Sequence, residues 1–305
     1  MLKIEGLSKE FATGFLPRRV RALDDLSLEV HRGEVYGYLG HNGAGKTTTL
    51  KLILGLLRPT RGRVWLMGRP AEEIEPRARV GFLPEGPYFY DYLTAREFLR
   101  FYGSLFGLSR QALASRVDEL LEMTGLDRAR ELPLRRYSKG MLQRVGIAQA
   151  LINDPEMVIL DEPMSGLDPV GRKEIKEIIL RLKAEGRTVF FSTHILSDAE
   201  LLCDRVGILV GGKLVREGSL EELLAGQAQG IEITVENLAA EVASRIEEAA
   251  HCVAHNGHTT ITLQKKEEID KLLRLILDCG GKVVSLMPRK ATLEDLFWKE
   301  FQQTQ

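Results

Sequence analysis

Four short stretches carry residue types that could do chemistry on a phosphate. The first is Gly40 to Thr48, read GHNGAGKTT. Gly40, Gly45, Lys46 and Thr47 fit the spacing G-x-x-x-x-G-K-[ST] of a phosphate loop. Glycines there let backbone N–H groups turn inward around phosphate oxygens, and a helix starting at the loop adds partial positive charge. Lys46 can reach the outer phosphates of a nucleotide, and the Thr47 hydroxyl can ligate Mg²⁺. The second stretch is the apolar run Met157 to Leu160 ending in Asp161-Glu162. A buried strand would put that carboxylate pair where open α/β sheets bind ligands. Asp161 would hold Mg²⁺, directly or through water, and Glu162 would polarise an attacking water as general base. The plainer alternative is a solvated helix cap. The third is Ser192-Thr193-His194, also closing an apolar run. A histidine there can hydrogen-bond a γ-phosphate or hold the water; taken alone it reads as a satisfied, partly buried histidine. The fourth is Tyr137-Ser138-Lys139-Gly140-Met141, opening a helical pattern. Ser138 can cap that helix, and its first N–H groups make an anion site, although alone the stretch reads as an ordinary cap.

These residues need rigid elements to hold them. Val35 to Leu39 is apolar at consecutive positions, as a buried strand is, and Leu50 to Leu57 reads as a helix that stops near Arg58-Pro59. Leu2 to Leu7 and Leu23 to Val30 alternate as strands, with an irregular stretch, Ala12 to Arg21, between them. Short strands follow over Arg63 to Met67 and Val80 to Leu83. A helical insertion, about residues 94–153, interrupts this α/β order. Buried strands over Met157–Leu160 and Thr188–Phe191 resume it, followed by strands over Val206–Val210 and Leu214–Glu217. The expected fold class is α/β: a P-loop NTPase core with a mixed sheet and a helical insertion, over residues 1–225. Residues 226–230 look like a linker. Over residues 231–305 the pattern restarts as β-α-β-β-α-β, which suggests a small ferredoxin-like α+β module. Its helices are expected over Leu238–Ala250, Glu267–Leu277 and Leu293–Phe301.

The 305 residues suit two domains, and a net charge of -1 gives no global basic signature for nucleic acid or anionic membrane. Cys203, Cys252 and Cys279 form no CxxC pair, so a reducing compartment is expected, with the three as small buried hydrophobes. The N-terminus has no apolar signal segment, and no apolar run approaches ~18 residues, so a membrane role would need another chain to span. The basic run Arg18 to Arg21 reads as a solvated loop. His251, His255 and His258 lie around a turn with no persuasive ligand spacing.

Together the motifs resemble the nucleotide-binding subunit of ABC transporters, over about residues 1–225. Tyr137 to Arg144 looks like that family's signature segment, Ser165-Gly166-Leu167-Asp168 like its dimer-contact loop, and His194 like its switch histidine. The resemblance implies an ATPase with Glu162 and His194 as catalytic residues. It implies ATP held by Phe11, Asn42, Gly43, Ala44, Gly45, Lys46, Thr47 and Thr48, with Phe11 stacked on adenine. Ser138 and Gly140 would act on the ATP of a second copy, in a homodimer or paired subunits closed head to tail. Mg²⁺ would be held by Thr47, Asp161 and Glu85. Separate transmembrane permease subunits are the implied partners, nucleic acid is not expected, and the location would be cytoplasmic, on the inner face of the cell membrane. Two residues depart from the family's pattern. Glu85 stands where glutamine is usual; it can ligate Mg²⁺ but cannot donate a hydrogen bond, or it points away to the partner subunit. SKGM stands where SGGQ is common, and Lys139 either adds charge beside the γ-phosphate or faces solvent. Glu85, YSKGM-LQR and the ending Thr292 to Phe297 look like ATPases of ABC-2 type exporters. In the family, the region of Tyr88, Phe89, Tyr90 and Tyr92 receives a helix of the membrane subunit. The alternative is a soluble ABC protein acting on nucleic acid or ribosomes.

Overall fold

Two kinds of apolar pattern build two kinds of sheet. The computed structural model describes residues 1–13, 18–225, 230–238, 246, 251–255, 258–263, 268–288 and 292–304. In chain order the first elements are β1 (Leu2–Thr13), β2 (Arg18–Val30), β3 (Val35–Leu39), α1 (Lys46–Ile53), β4 (Arg61–Leu66), β5 (Arg69–Pro70), α2 (Ile74–Ala78) and β6 (Val80–Leu83). The helical insertion supplies α3 (Ala95–Leu105), α4 (Arg110–Met123) and α5 (Lys139–Ala150). Then come β7 (Met157–Asp161), α6 (Pro169–Ala184), β8 (Thr188–Thr193), α7 (Leu196–Leu202), β9 (Arg205–Val210), β10 (Lys213–Ser219) and α8 (Leu220–Ala225).

The alternating strands form an antiparallel sheet of order β2-β1-β4-β5. The continuous apolar runs form a second sheet, β10-β9-β3-β8-β7-β6. It is parallel except at β10, which pairs antiparallel with β9. Every residue of β3, β7 and β8 is buried, which is why their sequences do not alternate. One core lies between the sheets around Leu2, Ile4, Leu28, Tyr36, Leu50 and Phe190. Within it Tyr36 stacks on Phe190 with ring centroids 5.4 Å apart, and the Tyr38 hydroxyl meets Thr49 Oγ1 at 3.1 Å, tying β3 to α1. The other core joins the insertion to the parallel sheet through Phe98, Val117, Val145, Leu160, Ile175 and Phe191.

Side-chain caps fix the starts of the helices of the insertion. Thr94 and Glu97 form a capping box on α3, Ser109 caps α4 and Ser138 caps α5. Several expectations need correction. The basic run is not a loop: Arg18 to Arg21 opens β2, where Arg21 pairs with Glu10 of β1 and with Asp24. Charged cross-strand pairs hide the alternation that would have marked both strands as longer. Gly14 and Pro17, in the middle of the supposed irregular stretch, lie outside the described residues. Helix α1 ends at Ile53, because the N–H groups of Leu56 and Leu57 both turn back to Lys51 O and Gly55 adopts φ 67°. Cys279 is exposed, and Cys203 and Cys252 are only half-buried.

The chain separates into two compact units, Met1–Leu220 with Glu300–Gln305, and Glu221–Lys299. The boundary between the units, Leu220 to Glu221, falls at the first residue of α8. Beyond α8 lie β11 (Ile231–Glu236), β12 (His251–His255), β13 (His258–Leu263), α9 (Ile269–Asp278), β14 (Lys282–Pro288) and α10 (Leu293–Thr304). These strands make an antiparallel sheet of order β12-β13-β11-β14, the order a ferredoxin-like unit takes with its crossovers. Ile233, Val235, Ile261, Leu272 and Ile276 form its core. Within the helix expected over Leu238–Ala250 only Leu238 and Ile246 are described; Ile246 is helical and buried. The linker residues 226–229 and the turn residues Asn256 and Gly257 lie outside the described residues.

Candidate functional site

Strand register brings the chemistry together. Leu39 of β3 faces Thr193 of β8, and Asp161 of β7 faces Ser192. The phosphate loop, the carboxylate pair and His194 therefore leave one sheet edge side by side. In the loop, Gly45 has φ 111°, and a Cβ there would come within 2.7 Å of Ala22 O. Gly43, at φ 83°, has nothing within 4 Å of a Cβ position, so its backbone is open to an approaching group. No side chain caps α1, which leaves its first N–H groups for a ligand.

A cavity of about 250 Å³ opens there, lined by Asn42, Gly43, Gly45, Lys46, Thr47 and Thr48, with Glu85 and Glu162. Lys46 is 6% exposed, and its Nζ donates to Gly40 O at 2.7 Å and to His41 O at 3.3 Å. The same Nζ lies 3.1 Å from Glu162 Oε1. That contact lacks hydrogen-bond alignment, since Oε1 accepts no hydrogen bond among the described residues. Thr47 Oγ1 donates to Asp161 Oδ2 at 3.1 Å, and Ser192 Oγ donates to Asp161 Oδ1 at 2.6 Å. Burial pushes the Asp161 carboxyl above its ordinary range, and these two hydroxyls offset part of the rise.

Glu162 is 6% exposed and holds φ 51°, a left-handed conformation uncommon for a residue with a side chain. Its N–H donates to Ser192 Oγ at 3.0 Å and to Ser192 O at 3.2 Å, which holds the bend in place. His194 Nδ1 lies 2.8 Å from Glu162 Oε2. An ionised carboxylate only accepts, so the proton belongs on Nδ1 and Nε2 is left for another partner. The pair resembles the oriented base of a hydrolase, with the histidine fixing the carboxylate.

The donor set fits a nucleotide with its metal. Thr47 and Asp161 already share a proton at the point where a hard cation would take their oxygens, and Glu85 lines the same cavity. No cluster of three His, Cys, Asp or Glu suited to a metal occurs among the described residues. Mg²⁺ held by one hydroxyl and one or two carboxylates needs phosphate oxygens and waters to complete it.

Other expected site residues fall elsewhere. Ala44 is 1% exposed in the core between the sheets, and its N–H donates to His41 O at 3.2 Å, so its side chain does not line the cavity. Phe11 stands outside the lining, on β1, with Lys9 Nζ 5.1 Å from its ring centroid. Ser138 and Gly140 line a separate cavity of about 360 Å³ with Gly166, Leu167 and Asp168. Lys139 is exposed there, its Nζ near Gly166, which fits a solvent-facing side chain. The aromatic cluster splits: Tyr88 and Tyr92 are 82% and 65% exposed, whereas Phe89 packs on Phe98 and Tyr90 on Phe101. Ser192 was missed as a site residue. Its signal is a polar residue closing an apolar strand two places before the histidine.

The cradle on α1, the carboxylate pair at the end of β7 and the histidine after β8 define a P-loop NTPase with the ATP-binding cassette fold. A sequence profile of the family described as ABC transporter matches residues 23–165. The chain is 46% identical to an uncharacterised ABC transporter ATP-binding protein of Nostoc sp., over 97% of this chain and 88% of the relative. It is 36% identical to the bacitracin transport ATP-binding protein of Bacillus licheniformis, over 92% of each chain. It is also 36% identical to the Nod factor export ATP-binding protein I of Cupriavidus metallidurans, over 91% of each. Among solved structures, a dimeric ATP-binding cassette in a post-hydrolysis state with ADP and Pi matches with TM-score 0.66 and 28% identity, over 72% of this chain and 99% of that one. The chain belongs to the family of ABC transporter ATP-binding subunits, and it is an ABC ATPase.

Proposed function

We propose that two copies of this subunit close head to tail on ATP, and that closure and reopening drive separate membrane subunits of an exporter. What carries the proposal is the division of the site. Lys46, Thr47 and Glu162 line one cavity, with Asp161 bonded to Thr47 and His194 to Glu162, while Ser138 and Gly140 line another with Gly166, Leu167 and Asp168. A second copy can bring its Ser138 side to the first cavity. The neighbour that is dimeric with ADP and Pi, and the relatives named for bacitracin transport and Nod factor export, support this reading. No helix among the described residues is long and apolar enough to cross a membrane, so the membrane work falls to partner chains. The exposed Tyr88 and Tyr92 offer such a partner an apolar contact, and the location that follows is peripheral, on the inner face of the cell membrane.

In this reading the N–H groups at Gly43 and Gly45 and the Lys46 ammonium hold the phosphates of ATP. Lys46 exchanges its contact with Glu162 for phosphate oxygens. Thr47 and Asp161 hold Mg²⁺, and Glu85 stands near them; the ion neutralises phosphate charge when bound. Glu162, freed of Lys46 and oriented by His194, takes a proton from the attacking water. The unit Glu221–Lys299 is read as an accessory domain to the cassette.

The test is Glu162→Gln. The substitution keeps shape and both neighbours but removes the base, so ATP should still bind and hold a dimer by size-exclusion chromatography, while phosphate release drops about 10²- to 10⁴-fold. A monomer in saturating ATP, or turnover near wild type, rejects the proposal.

A further inference from the structure

Helix α7 carries a buried charge that the site chemistry does not use. Asp198 is 1% exposed on the first turn of this helix, which begins two residues after His194. Two cations reach it from α6. Arg172 Nη2 donates to Oδ2 at 2.8 Å, and Lys176 Nζ lies 3.0 Å from Oδ1. The Lys176 contact is off the hydrogen-bond direction, since Oδ1 accepts no hydrogen bond among the described residues. Arg172 and Lys176 are one turn apart on the same face of α6. That helix grows directly from Ser165–Asp168: Asp168 is its N-cap, accepting from Gly171 N at 2.8 Å, and Arg172 N donates to Asp168 O at 2.9 Å.

An apolar residue would fill the same volume at no desolvation cost, so a buried carboxylate between two cations is poorly explained by stability. Its distinctive property is direction: two charged contacts from one helix fix where the first turn of α7 sits. In the first turn of α7, Asp198 N–H also donates to Ile195 O at 3.2 Å, and Ala199 is buried. The helix's N-cap, Ile195, offers no side-chain cap, and Ile195 N–H donates to Thr193 Oγ1 at 3.0 Å. The residue just before it, His194, must place Nδ1 within 2.8 Å of Glu162.

We infer that Asp198 is a positioning residue for His194, anchoring it to α6 and so to the Ser165–Asp168 loop from which α6 starts. The inference rests on the reading of Glu162 and His194 as the pair that handles water. It adds a route by which a shift of that loop reaches the base: through the Asp168 cap, α6, the Asp198 clamp, the first turn of α7 and His194. Asp198 touches no reacting atom and acts only through the histidine.

The test is Asp198→Asn in the full chain, alone and combined with His194→Ala, reading kcat at saturating MgATP, ATP affinity and thermal unfolding. The expected result is a fall in kcat of about 3- to 30-fold with ATP affinity within about twofold, and partial recovery in Asp198→Glu. In the His194→Ala background, Asp198→Asn should have no further effect, because its target is already gone. A loss in that background equal to the loss in wild type overturns the inference alone. So does a kcat per folded molecule that Asp198→Asn leaves unchanged. If His194→Ala itself leaves turnover unchanged, the reading of His194 fails first and the inference falls with it. Should Asp198→Asn not fold, Arg172→Gln and Lys176→Gln carry the same comparison, since both side chains are part exposed at 30% and 24%.

Discussion

Replacing Ser192 by alanine isolates what holds the metal corner in shape. Ser192 is fully buried, and its hydroxyl donates to Asp161 Oδ1 at 2.6 Å while accepting from Glu162 N–H at 3.0 Å. The two losses are unequal. Glu162 N–H keeps Ser192 O at 3.2 Å, so its bend at φ 51° retains a partner. Asp161 Oδ1 is left buried with no donor, while Oδ2 keeps Thr47 at 3.1 Å. The net change is one charge-assisted hydrogen bond, about 1.5–3 kcal/mol. For a folded unit of this size that lowers the unfolding temperature by roughly 3–12 °C. The lost hydroxyl also oriented Asp161 and lowered its pKa, so Mg²⁺ should bind about 10- to 100-fold more weakly, as when a partner that orients a metal ligand is removed. Calorimetry without nucleotide reads the first effect, and ATPase activity titrated with Mg²⁺ reads the second. An unfolding temperature within about 1 °C of wild type together with an unchanged Mg²⁺ curve would refute the assignment of Ser192.

Two further outcomes follow from the same corner. The Asp161 carboxyl stands above its ordinary 3.8 because of burial. The free fold therefore gains stability from this group below that value and loses it as pH rises through the raised one. Mg²⁺ needs the carboxylate and runs the other way, so the Mg²⁺ concentration for half-maximal turnover should climb as pH falls through the raised pKa. A requirement that stays flat down that acid limb contradicts the metal role of Asp161. Glu85→Gln should shift the Mg²⁺ requirement severalfold, since it exchanges a carboxylate ligand for a weaker amide oxygen; identical Mg²⁺ dependence means Glu85 serves another purpose.

The parts of the site legible in the sequence were those with a fixed spacing or a fixed edge. Lys46 and Thr47 are set by the loop motif, and Asp161, Glu162 and His194 by the ends of buried strands, whose apolar runs cannot be mistaken for exposed ones. Ser192 was illegible as a site residue because its role depends on register: only pairing β8 with β7 puts its hydroxyl beside Asp161. Asp198 looked like any polar residue on a short helix, since its two partners lie on α6, 26 and 22 positions earlier in the chain. The long β1–β2 ribbon was hidden for another reason. Arg19 and Arg21 on its outer part break the apolar alternation while both pair with Glu10 across the strands. The second unit was legible as a strand and helix order, but nothing in its sequence says which surface it serves.

The central claim is that one ATP site takes parts from two copies. Mixing Lys46→Ala with Ser138→Ala protein tests it most directly, because each lesion alone silences both sites of a dimer. If Ser138 acts on the partner's nucleotide, both lesions of a mixed dimer fall in one site and the other site is whole. The account predicts that the mixture hydrolyses ATP faster than either parent at the same total concentration. A mixture that stays at the parents' rate, with mixed dimers shown to form, would contradict it.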